Sequence, residues 1–66
     1  MTTKQMKNMM NKFYKAIETE NEFKINLYKG LVKSQVEFDL DNEEQAALYD
    51  EMVDRLPEEI YWELAG

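Results

Sequence analysis

Between Thr3 and Glu20, apolar side chains return every three or four residues: Met6, Met9, Met10, Phe13, Tyr14 and Ile17. On a helix they form one broad stripe, with Lys4, Lys7, Lys12 and Lys15 opposite, and Thr2 or Thr3 is placed to cap its start. The methionine cluster has two readings. An unbranched thioether fills irregular core space, and the same adaptability suits a surface that meets another chain. Met6, Met9, Met10 and Phe13 are therefore candidates both for the core and for self-association.

The pattern changes after Glu20. Phe23, Ile25 and Leu27 alternate with polar residues, and so do Val36, Phe38 and Leu40. A period of two predicts strands. A two-residue turn at Lys29-Gly30 sets Leu27 opposite Val32, Ile25 opposite Ser34 and Phe23 opposite Val36, so turn and alternation agree on one register. A competing pattern runs through the same residues. Met6, Met10, Phe13, Ile17, Glu20, Lys24, Leu27 and Leu31 are spaced four-three-four-three, which predicts one long helix to about Ser34. That helix would expose Phe23 and Ile25 and would hold Asn21, Asn26 and Gly30 in its interior, all poor helix formers. The hairpin is the preferred reading.

The segment "DLDNEEQAALYDEMVDRL" reads as a helix. Asp41 is placed as N-cap, with Glu44 three residues on as in a capping box. Ala46, Leu48, Tyr49, Met52, Val53 and Leu56 form an apolar arc, and Glu43, Glu44, Asp50, Glu51 and Asp54 gather on the other side. Pro57 cannot continue that helix but can begin the next, which carries Glu58 and Glu59 in its first turn and runs to about Ala65. Within it, Ile60 and Leu64 share a face. Trp62 is turned about 200° from Ile60 and cannot join them.

The expected architecture is one α+β domain over residues 1–66, ordered α-β-β-α-α, with helices packed on a two-stranded antiparallel hairpin. The alternative is all-α, a long N-terminal helix followed by two C-terminal helices. At this length a core is thin, and such chains usually add a disulfide, a metal or a partner subunit. The 66 residues contain neither cysteine nor histidine. A second copy of the chain is the remaining device, and hairpins pairing edge to edge would supply a homodimer.

Charge divides the chain. Residues 1–34 carry seven Lys against three Glu, a net of +4, whereas residues 35–66 carry one Arg against eleven carboxylates, a net of −10. Part of that negative charge caps helices and part is a solvated face; the sharper reading is an acidic surface for a basic partner. No apolar run approaches the roughly 20 residues of a membrane span. The start, "MTTKQMKNMMNKF", lacks the continuous apolar stretch of a signal peptide. The absence of cysteine fits a reducing compartment, and a cytoplasmic protein is expected.

The inventory of reactive groups is short. No imidazole or thiol is present, Ser34 is the only serine, and no glycine-rich phosphate loop occurs. Exposed carboxylates without a cleft do not make acid–base catalysts, so no enzymatic activity and no cofactor are expected. Asp39, Asp41, Glu43 and Glu44 are acidic enough to suggest a calcium loop, but the glycine and the spaced bidentate Glu of that motif are missing; capping and solvation account for them, and no metal is expected. Lys24, Lys29 and Lys33, with Tyr28 beside them, could form a basic ribbon, but a net charge of −6 repels a polyanion, and direct nucleic-acid binding is not expected.

What remains is protein binding. Glu43, Asp50, Glu51 and Asp54 are the expected partner-binding carboxylates, and Trp62 the expected aromatic anchor, for a protein partner with a basic surface. The expected role is a small modulator, regulator or inhibitor. The alternatives are a nucleic-acid mimic that blocks a basic channel, or a structural subunit of an assembly. The overall type, a small acidic chain with Met and Tyr but no Cys or His, resembles accessory proteins encoded by viruses of bacteria. That resemblance is compositional and assigns no residues.

Overall fold

The computed structural model describes residues 1–35 and 37–65. Its first element, α1 (Thr3–Glu18), follows the three-and-four spacing. The Thr2 hydroxyl accepts from the Gln5 backbone N–H at 3.1 Å, and the Gln5 side chain accepts from the Thr2 N–H at 2.9 Å, closing a capping box. Met6, Met9, Met10, Phe13 and Ala16 are buried along one face.

Beyond α1 the structure overturns the preferred α+β expectation and fits the all-α alternative. Among the described residues there is no strand, and the α+β hairpin fold is replaced by an all-α one. Residues 22–34 are a helix, α2 (Glu22–Ser34). The N-terminal stretch of the all-α alternative is thus helical to Ser34 as that reading had it, but divided into two helices rather than one. The chain breaks at Thr19–Asn21. Glu20 takes a left-handed conformation (φ 56°), its N–H donates to the Ile17 carbonyl at 3.2 Å, and the Asn21 N–H reaches back to Ala16 at 2.9 Å. That pair of bonds is the Schellman arrangement, formed here without its usual glycine. Asn21 also starts the next helix, its side chain accepting from the Lys24 N–H at 3.2 Å.

The apparent alternation failed because it mixed two faces of one helix. Ile25, Tyr28 and Val32, at i, i+3 and i+7, turn inward onto α1, whereas Phe23 and Leu27 turn outward. Lys29-Gly30 is not a turn but lies inside α2. Phe38 and Leu40 lie in the connection to the third helix, and Val36 lies outside the described residues. With no hairpin, the proposed edge-to-edge pairing of two copies is lost too.

Gly30 is then a glycine in an exposed helix interior. Its φ is not positive, and a methyl group built on it would meet nothing within 4 Å. Gly30→Ala is expected to stabilise the fold by about 0.5–1 kcal/mol through helix propensity alone. Urea unfolding measures it; a destabilised variant would speak for a turn at this position.

The third helix, α3 (Glu43–Arg55), is capped one residue later than the sequence suggested. Asn42, not Asp41, is the N-cap, its side-chain oxygen accepting from Glu44 N–H at 2.9 Å and Gln45 N–H at 3.4 Å. The last helix, α4 (Glu58–Ala65), follows Pro57 directly, as the proline required.

α1 is the central element, packing against α2 on one side and α3 on the other, and α4 lies along α2. The core joins Met6, Met9, Met10 and Phe13 to Val32, Phe38, Met52 and Leu56. Ile60 and Leu64 seal the α4 end, where Lys29 of α2 also pairs with Glu63. The radius of gyration, 11.1 Å, is that of a chain closed on itself, close to the roughly 11 Å expected for this length.

Candidate functional site

On α3, steps of seven and four residues place Glu43, Asp50 and Asp54 within about 40° of one another, around Ala47. All four are exposed, and they form the outer ridge of the helix. Gln45, Met52 and Leu56 point the opposite way, into the core. Glu51 is separated from the ridge. It forms an i,i+4 pair with Arg55 at 3.7 Å and lines a groove between α1 and α3 with Lys7. Of the four carboxylates read from the sequence, three share the free ridge and the fourth is partly neutralised.

Trp62 lies off the Ile60–Leu64 face, as helical geometry dictated, and is 62% exposed. Its indole N–H donates to Glu58 one turn earlier at 3.3 Å, and the Tyr61 ring meets it edge-on at 5.5 Å. The two aromatics therefore form a small, oriented cluster at the surface of α4, with a carboxylate holding the indole.

The self-association residues are placed differently from that expectation. Met6, Met9, Met10 and Phe13 are interior side chains of a single chain, and Met6 and Phe13 have no exposed surface at all. They cannot also face a second copy while this fold persists. The lysines of the supposed basic ribbon are likewise dispersed. Lys24 joins Lys12 and Lys15 around a groove between α1 and α2, whereas Lys29 faces α4 and is paired with Glu63. Tyr28 turns its ring toward Phe13, at 5.9 Å, rather than outward.

Nor do the acidic residues before α3 assemble a cage. Asp39 accepts from the Asp41 N–H at 3.2 Å in a local turn, and among the described residues no group of three carboxylates is placed to hold a metal ion. Among the described residues no helix is long and apolar enough to cross a membrane.

Sequence reasoning missed two features. The first is Tyr14, which the Arg55 guanidinium covers at 4.4 Å from the ring centroid. Its hydroxyl is buried without a hydrogen-bond partner. Burial pushes the phenol's ionisation up, Arg55 opposes the shift, and the Glu51 charge adds to it. Tyr14→Phe removes the unpaired hydroxyl and is expected to stabilise the fold by about 0.5–1 kcal/mol. The folded phenol holds its proton more tightly than the unfolded one. The wild type therefore keeps this contribution below about pH 10 and loses stability as pH rises through the folded value, so the variant's advantage widens in that range. Thermal melts from neutral to alkaline pH test both statements. The second feature is Leu27, which stands half-exposed on α2 beside Phe23, whose exposure the helical reading had already entailed.

No family model matches the chain, and neither a curated protein nor a solved structure matches it.

Proposed function

We propose that the protein is a small non-catalytic binding module that modulates or inhibits a larger protein with a basic surface, meeting it through the α3 ridge and the aromatic cluster of α4. The observation that carries this reading is the ridge itself. Glu43, Asp50 and Asp54 stand together in solvent, and among the described residues none has an ion-pair partner. Asp50 and Asp54 are one turn apart, where like charges cost a helix about 0.2–0.5 kcal/mol. A basic partner relieves that repulsion, and its approach is accelerated by the field of the acidic half. Trp62 supplies what the ridge lacks, a large apolar side chain of the type that dominates interface energetics. The absence of cysteine suits action in the cytoplasm.

The test is retention of host proteins on immobilised full-length chain. Wild type is expected to retain a basic partner, and Asp50→Lys combined with Asp54→Lys is expected to lose it while the helical circular dichroism is unchanged. Kinetics on the recovered partner should show association slowed about tenfold or more by the double reversal and by added salt, with dissociation little changed. Trp62→Ala should instead speed dissociation. Retention equal for wild type and double variant, or none by either, refutes the reading. Displacement of the chain by DNA from the same partner would identify the ridge as a nucleic-acid mimic.

A further inference from the structure

Positive charge converges at one place in a chain whose net charge is −6. On α1, Lys12, Lys15 and Thr19 stand at i, i+3 and i+7, so they share a face. On α2, Lys24 and Tyr28 are one turn apart and share another. The two faces border a groove of about 260 Å³, whose remaining wall is the buried Ala16. Among the described residues no carboxylate lines it. Glu22 lies on the far side of α2, in the groove shared with α4.

The three ammonium groups are not balanced from within the chain. Among the described residues Lys12, Lys15 and Lys24 have no ion-pair partner, although Lys29 and Arg55 have theirs. Lys12 and Lys15, three residues apart, repel one another across one turn of helix. Lys15 suits the C-terminal end of α1, but Lys24 is in the first turn of α2, where the helix dipole disfavours a cation. The backbone beside the groove does not oppose an anion. The Lys15 carbonyl accepts from both the N–H and the hydroxyl of Thr19, each at 2.9 Å, and the Ala16 carbonyl accepts from the Asn21 N–H at 2.9 Å. The oxygens that would repel negative charge there are already occupied.

We propose that this groove binds a small phosphate-bearing anion, preferring two linked phosphoryl groups to one. Lysines act on phosphate as point charges, and the groove holds no arginine to supply the planar fork that favours carboxylates. A phosphoryl group carries roughly 1.5–2 negative charges, so two of them match the three lysines where one does not. The size of the groove points the same way, since it lies below the roughly 300–1,000 Å³ of sites that enclose larger organic ligands. A long polyanion fits poorly, because beyond the groove it meets the field of the acidic half. The site is separate from the α3 ridge, and its test does not depend on any protein partner.

Calorimetric titration of the full chain with inorganic pyrophosphate at low salt is the experiment. Wild type is expected to bind with a Kd below about 1 mM, and inorganic phosphate at least about tenfold more weakly. Lys12→Gln, Lys15→Gln and Lys24→Gln should each weaken pyrophosphate binding by at least about fivefold. Lys4→Gln and Lys33→Gln remove the same charge outside the groove and should change it by less than about twofold. All five positions are exposed, so every variant should keep the helical circular dichroism. No binding up to about 10 mM pyrophosphate, or equal loss in the groove and control variants, overturns the proposal. Pyrophosphate bound no more tightly than phosphate overturns the preference for two phosphoryl groups. A single-stranded oligonucleotide that binds more tightly than pyrophosphate would make these lysines part of a polyanion surface, and overturns the proposal too.

Discussion

Phe13→Ala is expected to leave the chain largely unfolded at room temperature. Phe13 is wholly buried in α1, among Met6, Val32 and Met52, which are also without exposed surface, and its ring lies 5.9 Å from that of Tyr28. It is thus the side chain through which α1 holds α2 on one side and α3 on the other. Truncating a buried phenylalanine costs about 3–5 kcal/mol, the lost transfer energy together with that of the cavity left behind. A domain of this length has a total stability of roughly 3–10 kcal/mol. The loss is therefore comparable with everything the fold has. Met52→Leu, which keeps volume and apolarity at an equally buried position, should cost less than about 1.5 kcal/mol. Helical circular dichroism and urea titration of the two variants distinguish them. A Phe13→Ala protein that melts with the wild type would mean that α1 is not the centre of the core.

The same residues show how much of the fold was legible. α1, α3 and α4 could be read because each has local evidence of two kinds: an apolar spacing of three and four, and a terminus signal in Thr2, the acidic first turn of α3, or Pro57. α2 could not. Its apolar residues, Phe23, Ile25, Leu27, Tyr28, Leu31 and Val32, occupy more than one face, so periods of two and of three to four both fit parts of it. Packing decides between them, since only the helix brings Ile25, Tyr28 and Val32 together onto α1. The break before it was hidden because Glu20 performs the left-handed step that usually advertises itself with glycine. Asn21 was the available clue, an N-cap residue followed by Glu22.

The candidate surfaces divide along the same line. The offsets within α3 and α4 are intrahelical geometry, so the ridge of Glu43, Asp50 and Asp54 and the outward position of Trp62 follow from sequence spacing. Whether a stripe is covered depends on other elements. The methionine stripe and the Phe23–Leu27 pair look equally apolar in the sequence, yet the fold encloses the first and leaves the second open. Nothing local distinguishes an internal neighbour from an external one.

The side chain least visible in the sequence is expected to give the second-largest loss. Gln45 sits in the first turn of α3 between two carboxylate-rich stretches and reads as an exposed residue, but it is buried. Its carbonyl oxygen accepts from the Asp39 N–H at 3.0 Å, and its amide nitrogen donates to the Met1 carbonyl at 2.8 Å. One side chain thereby fastens to α3 both the connection after α2 and the segment before α1. Gln45→Ala leaves a partly buried donor and acceptor unpaired, at a cost of about 1–3 kcal/mol. Gln45→Glu tests the geometry more sharply. A carboxylate still accepts from Asp39, but its second oxygen faces the Met1 carbonyl with no hydrogen to offer. Protonation restores a donor there, so the folded state favours the protonated form and raises the group's ionisation above the usual value of about 4.3. The deficit of Gln45→Glu relative to wild type should be full at neutral pH and shrink as pH falls through the raised value. Urea unfolding at neutral pH and near pH 4, on wild type and both variants, measures this. A Gln45→Glu deficit that is constant with pH, or that grows on acidification, would mean that the Met1 carbonyl is not the partner of this side chain.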